Sequence, residues 1–252
     1  MKANVVLAYS GGLDTSVCIR WLTEAGYRVI AFCADVGQGE DLKPARRRAL
    51  ELGAEKVVVR DLRNVFAQQY VLPALRADAV YEGKYLLATA LSRPLIAKAL
   101  ADTARIHRAL VVAHGCTGKG NDQVRLEVSL RILNPKLRIV APVREWKLQS
   151  RREEVRYLER RGLPVPKKSD SRYSIDQNLW GVSIESGPLE DPWVEPPSEA
   201  YRWTTEPGKA PAQAQTVQIE FLRGVPVGLN GRRRSLVDLI RQMNRIGARH
   251  GV

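Results

Sequence analysis

Short apolar runs alternate with segments of helical periodicity through the first two-thirds of the chain, and this alternation restricts the fold more than any other feature. Val5-Val6-Leu7, Tyr27 to Asp35, Lys56 to Val59, Ala109 to Ala113 and Leu137 to Ala141 read as five strands. Their runs are too continuously apolar for strands with one wet face, so they belong to a parallel sheet covered on both sides. Between them the spacing predicts helices: one after Ser16 with Val17, Trp21 and Ala25 on a face, Leu42 to Leu52 stopped by Gly53, Leu62 to Leu75, Thr89 to Ile106, and Gln123 to Leu133. Pro73 should end or kink the third of these. Ser150-Arg151-Arg152-Glu153 is a capping box that opens a further helix, closed by Gly162. Strand–helix alternation of this kind gives an α/β, doubly wound parallel sheet, which binds ligands at the carboxyl ends of its strands.

Two glycine-rich loops stand at such ends. The first, Ala8-Tyr9-Ser10-Gly11-Gly12-Leu13-Asp14-Thr15-Ser16, joins the first strand to the first helix. Its glycines let the backbone turn tightly and approach a ligand. The unpaired N–H groups at the helix start favour an anion, and Ser10, Thr15 and Ser16 add hydroxyl donors. The loop has no lysine and not the spacing of a Walker loop. It resembles the pyrophosphate-binding loop of the N-type ATP pyrophosphatases, which split ATP at the α-phosphorus.

The second loop follows the fourth strand: Gly115-Cys116-Thr117-Gly118-Lys119-Gly120-Asn121-Asp122-Gln123-Val124-Arg125. Thr117 and Asn121 can bind a carboxylate, Asp122 can accept from an ammonium group, and Arg125 can pair a second carboxylate. An amino-acid clamp is one reading; a polar loop that merely caps a helix is the other.

After about Pro164 the pattern changes to a proline-interrupted polar stretch. Then come a strand pair, Thr216 to Leu222 and Val225 to Leu229, and a helix from Ser235 to Ile246 with Leu236, Leu239, Ile240 and Met243 on one face. This divides the chain into an expected nucleotide-binding domain, 1–165, and the start of an α+β domain, 166–252. The apolar face of the last helix is expected to lie exposed.

Lys plus Arg number 40 against 27 Asp plus Glu, a net charge of +13 that suits anionic partners without choosing among them. The basic runs, Arg46 to Arg48 among them, read mostly as solvated helix faces and turns. Cys18, Cys33 and Cys116 are too few and scattered for a disulfide framework or a zinc site, which fits a reducing cytosol. His107, His114 and His250 have no ligand spacing. No apolar run suffices to span a membrane, and Met1-Lys2-Ala3 leads straight into the first strand, so no secretory leader is expected.

Both loops, together with Ala34 to Gln38, Tyr85-Leu86-Leu87, Tyr173 to Trp180, Phe221 with Gly224, Pro226 and Val227, and His250-Gly251-Val252, resemble the argininosuccinate synthases over the whole chain and in order. The resemblance implies an adenine nucleotide alpha hydrolase-like fold followed by an incomplete synthetase domain. It implies ATP-dependent joining of citrulline and aspartate through a citrullyl-adenylate, with magnesium on the phosphates. ATP is then held by Ala8 to Ser16, Ala34 and Gly115; aspartate by Thr117, Asn121 and Asp122; citrulline by Tyr85, Asn121, Arg125, Ser174 and Ser183. Without the resemblance Tyr85 reads as an ordinary half-buried aromatic, and Ser174 and Ser183 as turn or cap residues. Members of this family extend past Val252, to complete the citrulline pocket and an arm for a homotetramer, and neither membrane nor nucleic acid is an expected partner. Ala90 stands where the family usually has a hydroxyl. Two other readings are a tRNA-thiolating ATP pyrophosphatase and a non-catalytic nucleotide-binding form. Cys116 in a site loop and the positive charge favour the thiolating reading weakly.

Overall fold

The computed structural model describes residues 2–39, 41–118, 120–166 and 172–252. Lys119 of the second glycine loop lies outside them. The elements run, in chain order, β1 (Asn4–Ala8), α1 (Leu13–Glu24), β2 (Arg28–Asp35), α2 (Leu42–Glu51), β3 (Lys56–Asp61), α3 (Arg63–Phe66), α4 (Leu72–Arg76), α5 (Ala88–Ile106), β4 (Val111–Ala113), α6 (Asn121–Leu133), β5 (Arg138–Val140), α7 (Pro142–Glu145), α8 (Arg151–Glu159), β6 (Ser174–Gln177), β7 (Val182–Glu185), β8 (Ile219–Leu222), β9 (Val225–Leu229), β10 (Arg232–Arg233) and α9 (Leu236–Arg249). They form two compact units, each discontinuous in sequence. The first comprises Met1–Asp35, Glu40–Asp61 and Ser92–Ser171; the second comprises Val36–Gly39, Leu62–Leu91 and Arg172–Val252.

The first unit is built on a five-stranded sheet of order β3-β2-β1-β4-β5, parallel throughout. The centre is β1, where Val5 pairs with Val29 on one side and Val111 on the other. Val5, Val6 and Leu7 are fully buried, which is why this strand reads as an unbroken apolar run. At the edge, β3 carries Lys56, Arg60 and Asp61 exposed, charges that discourage pairing with another chain. The strand order reverses between β1 and β4, so their carboxyl ends border the switch point of the sheet.

Helix α1 is buried over more than the one expected face: Leu13, Val17, Cys18, Ile19 and Leu22 are all inside, while Ala25 is an exposed C-cap. It packs against the sheet and also against α7 and α8. Burying each large aliphatic side chain contributes about 1.5–3 kcal/mol. A polar latch holds α8 in place: the Glu24 carboxylate accepts from Arg161 Nε at 2.8 Å and from Tyr157 Oη at 2.6 Å. Ser150 caps α8 as its sequence predicts, accepting from the Glu153 N–H at 3.3 Å. The return bond is displaced by one residue, since Glu153 Oε2 accepts from the Gln149 N–H at 2.7 Å.

In the second unit the Leu62 to Leu75 helix passes through Pro73 and ends only at Arg76, because Ala67–Val71 forms a π-helical turn ahead of the proline. A wider turn accommodates the ring that would otherwise strike a carbonyl one α-turn back. An antiparallel hairpin of β6 and β7 and a three-stranded antiparallel sheet β10-β9-β8 complete this unit with α9. The first strand of the expected pair is shorter than its sequence suggests, and the Arg232–Arg233 run adds a third. The expectation of an exposed apolar face on α9 is overturned. Leu239 and Ile240 are buried, and the helix packs on β9, α3 and the π turn. Ser235 caps α9 through the Asp238 N–H at 3.1 Å.

Candidate nucleotide site

Both glycine loops belong to the first unit, at the carboxyl ends of the adjacent strands β1 and β4. They touch. A Cβ on Gly115 would stand 2.8 Å from Thr15 Cγ2 and 3.8 Å from Asp14 Cβ, so a side chain at residue 115 has no room.

The first loop is braced from within. Gly11 is left-handed, at φ 82°. The Gly12 N–H donates to Ser10 Oγ at 3.3 Å, and Ser10 Oγ and Thr15 Oγ1 are 3.1 Å apart. The Gly12 carbonyl accepts from the Ser16 N–H at 3.1 Å and from Ser16 Oγ at 2.7 Å. Tyr9, Leu13 and Ser16 therefore serve the loop from behind: all three are buried, and Ser16 Oγ also lies 3.4 Å from Tyr9 Oη. Ser10 and Gly12 are exposed. Ala34 lies half-buried near the end of β2.

Two side chains that the sequence reading passed over face this loop. Arg48 of α2 donates from Nη2 to the Gly11 carbonyl at 2.6 Å. Glu154 of α8 is 7 % exposed and meets Asp14. Burial first, and then the bond to and charge of Asp14, push the Glu154 carboxyl up to about 8. At neutral pH it is mainly the acid, and its proton lies between the two carboxyls. A capping box was all the sequence announced here; the contact with Asp14 has no local signal.

The second loop leads into α6, whose N-cap, Gly120, offers no side chain. Thr117, Gly118, Gly120 and Asn121 are exposed. Asp122 accepts from Arg93 Nη2 at 2.7 Å and from Arg125 Nη1 at 3.1 Å. Arg125 thus pairs with Asp122 in this structure, and Arg93, which the sequence reading did not single out, joins them. His114 anchors the loop at its start. It is 1 % exposed, accepts the Cys116 N–H on Nδ1 at 3.2 Å and has Nε2 3.2 Å from Glu127 Oε1. The first bond requires an unprotonated Nδ1, so Nε2 is the donor. Burial lowers the His114 pKa, and Glu127 opposes that less strongly. Arg144 closes the network on Glu127 and donates to Gln123 Oε1 at 2.7 Å. Burial, then the charge of Asp122, pushes the Cys116 thiol up to about 11, and a thiol so protonated is a poor nucleophile, which weakens the tRNA-thiolating reading.

Helices α2, α8 and α9 are capped by the side chains of Asp41, Ser150 and Ser235, whereas α1 and α6 have glycine N-caps and no side-chain bond. The two helices that start at the switch point thus leave their first N–H groups to a ligand.

Tyr85, Ser174 and Ser183 belong to the second unit. Tyr85 Oη accepts the Thr89 N–H at 3.0 Å, and Thr89 Oγ1 lies 3.4 Å from Ser183 Oγ. In the β6–β7 hairpin Ser174 pairs with Glu185 and Asp176 with Ser183, which puts both serines on one face. Trp180 and Asn178 donate to the carbonyls of Leu86 and Ala88, at 3.0 and 2.8 Å, and fasten this hairpin beside Tyr85.

Comparison with known proteins identifies the family. The family model described as the arginosuccinate synthase N-terminal HUP domain matches residues 4–164, and that of the arginosuccinate synthase C-terminal domain matches 173–252. The chain belongs to the argininosuccinate synthase family. Its fold is the HUP-type α/β sheet followed by part of the family's C-terminal domain. Family members from Oceanobacillus iheyensis and Aquifex aeolicus are each 55 % identical over 252 residues, all of this chain and 60 % and 63 % of theirs. The one from Geobacillus kaustophilus is 55 % identical over 249 residues, 99 % of this chain and 61 % of its own. The chain thus spans about three-fifths of the length of the curated relatives it matches. A solved structure described as a predicted subunit of a tRNA methyltransferase from Methanocaldococcus jannaschii overlays on 66 % of the chain at 17 % identity and a TM-score of 0.41, too loosely to bear on fold or function.

Proposed function

We propose that this chain carries the ATP-binding part of an argininosuccinate synthase, with the first glycine loop holding the β,γ-phosphates. The observation that carries this reading is the pair of helix N-termini, α1 and α6, that lack side-chain caps and meet at the switch point through Thr15 and Gly115. In the reaction the ureido oxygen of citrulline attacks the α-phosphorus of ATP, and the bond from that phosphorus to the α,β-bridging oxygen breaks to release pyrophosphate. The amine of aspartate then displaces AMP from the citrullyl-adenylate. No side-chain nucleophile is needed, so catalysis consists of positioning and of stabilising charge on phosphorus.

Ala8 to Ser16, Ala34 and Gly115 form the ATP site, its exposed groups being Ser10 and Gly12. Thr117 and Asn121 receive an aspartate carboxylate at the start of α6, and Asp122 receives its ammonium group. Because Asp122 is paired with Arg93 and Arg125, aspartate enters by loosening one of those bonds, which leaves Arg125 for the citrulline carboxylate near Asn121. In the second unit the hydroxyls of Tyr85, Ser174 and Ser183 suit the ammonium and ureido groups of citrulline. Thr89 provides a hydroxyl next to Ala90. Magnesium comes with ATP, on its phosphate oxygens. The whole protein acts as a cytoplasmic homotetramer. No helix among the described residues is long and apolar enough to cross a membrane.

Pyrophosphate release from ATP tests the reading, measured with citrulline alone, with citrulline plus aspartate, and with tRNA. The chain is expected to bind ATP, and any release should require citrulline. Release that depends on tRNA, or no ATP binding at all, overturns it.

A further inference from the structure

Among the described residues, two buried side-chain polar atoms have no hydrogen-bond partner: Arg48 Nε and Glu154 Oε2. Both belong to side chains against the first glycine loop, one basic and one acidic. Glu154 meets Asp14 and is mainly the neutral acid, so its orphaned oxygen carries little charge. An unbonded guanidinium N–H away from water, as at Arg48, is costly.

How Arg48 gets there is specific. Arg46 and Arg47 on the same helix are exposed, as a solvated basic run should be. Arg48 is turned inward by the buried alanines on either side of it in sequence, Ala45 and Ala49. A Cβ on Gly11 would lie 3.1 Å from Ala45 Cβ and 3.5 Å from Arg48 Nη2, so α2 comes this close only because both residues are small. The guanidinium then reaches the Gly11 carbonyl. In a trans peptide the C=O of one residue and the N–H of the next point opposite ways. Arg48 pulls the Gly11 oxygen toward α2, and the Gly12 N–H points away from α2, toward Ser10 Oγ. The loop sequence itself carries Asp14 and no lysine or arginine.

We propose that Arg48 is a positioning residue of the phosphate subsite. Its guanidinium orients the Gly11–Gly12 peptide so that the Gly12 N–H and Ser10 hydroxyl face a bound di- or triphosphate. Its fixed positive charge offsets the repulsion of that anion by Asp14. The ligand class is thus a polyphosphate, recognised by charge and backbone donors and independently of the base.

The inference rests on the ATP reading above, and one set of binding measurements separates the two. Calorimetric titration of the unsubstituted chain, Arg48→Gln and Arg48→Lys with ATP, inorganic pyrophosphate and adenosine gives the split. Arg48→Gln is expected to weaken ATP and pyrophosphate about tenfold or more and to leave adenosine within about twofold. Arg48→Lys, which keeps the charge without the planar fork, should fall between them. Retained adenosine binding shows that the variant is folded. Equal weakening of adenosine and pyrophosphate in Arg48→Lys, or unchanged pyrophosphate affinity in Arg48→Gln, overturns the role of Arg48 alone. Failure of the unsubstituted chain to bind ATP or adenosine overturns the nucleotide site and this inference with it.

Discussion

The two glycine loops leave neighbouring strands and enter helices with equally bare N-termini, yet they are built differently. In the first, hydroxyls and carbonyls bond to one another, Gly11 is locked in a left-handed conformation, and Arg48 and Glu154 press on it from α2 and α8. In the second, Thr117, Gly118, Gly120 and Asn121 are exposed, and two side chains hold the backbone, His114 Nδ1 on the Cys116 N–H and Gln123 Nε2 on the Gly118 carbonyl at 2.9 Å. A loop that grips one invariant anion gains from having its donors fixed beforehand. On the proposed reading the second loop admits another, chemically different substrate and needs groups that can change partners, Asp122 among them.

The largest expected effect is at the contact between them. Gly115→Ala puts a methyl 2.8 Å from Cγ2 of Thr15, a buried, stiff β-branched side chain. It should cost about 2–3 kcal/mol in urea denaturation and abolish measurable ATP binding. Gly11→Ala acts on one loop only. Left-handed backbone with a Cβ costs about 1–2 kcal/mol, and the methyl displaces α2 and Arg48 as well, so ATP affinity should fall along with stability.

The loops should also fail at opposite ends of the pH range. Glu154 binds its proton more tightly folded than unfolded, so its contribution is complete below about 4.5 and is lost as pH rises through about 8. Thermal melts of Glu154→Gln against the unsubstituted chain should diverge as pH rises from about 4.5 to about 8, the unsubstituted chain losing stability relative to the variant by about 1 kcal/mol or more. His114 has the reverse sign. Its pKa is lowered by burial, so its contribution is present above 6.5 and is lost as pH falls through the depressed folded value. A proton resonance of the His114 ring should titrate with a midpoint below 6.5, and a midpoint above it would contradict the neutral, Nδ1-accepting ring.

The smallest effect is expected at Gly118. Its φ is not left-handed, and a Cβ meets nothing nearer than Arg144 Cδ at 3.8 Å. Gly118→Ala should change stability by less than about 0.5 kcal/mol. A loss like that at Gly11 would mean that the second loop is as rigid as the first.

The sheet and both loops were legible because their signals are local. An apolar run bounded by glycines, followed by helical spacing, needs no knowledge of the rest of the chain. The β6–β7 hairpin was not legible: Ser174-Ile175-Asp176-Gln177 is mostly polar and only partly buried, so nothing in its composition marks a strand. Arg48, Arg93 and Glu154 were hidden for a related reason. Each sits in an ordinary charged stretch of helix, and its partner is 37, 29 and 140 positions away in sequence respectively. The face of α9 was misjudged because the sequence does not tell which apolar surface, β9 here, a helix will find.

The discontinuity of the second unit bears on how this polypeptide leaves the ribosome. Ala88 and Leu86 cannot receive their bonds from Asn178 and Trp180 until 90 and 94 further residues have been added. At ordinary translation speed that interval lasts roughly 5–20 s. For that time the newly made stretch 62–91 is without the side chains that cover it, while β4 and β5 of the parallel sheet emerge behind it. A holding chaperone that binds nascent chains should therefore find its footing on this stretch rather than on the nucleotide loop.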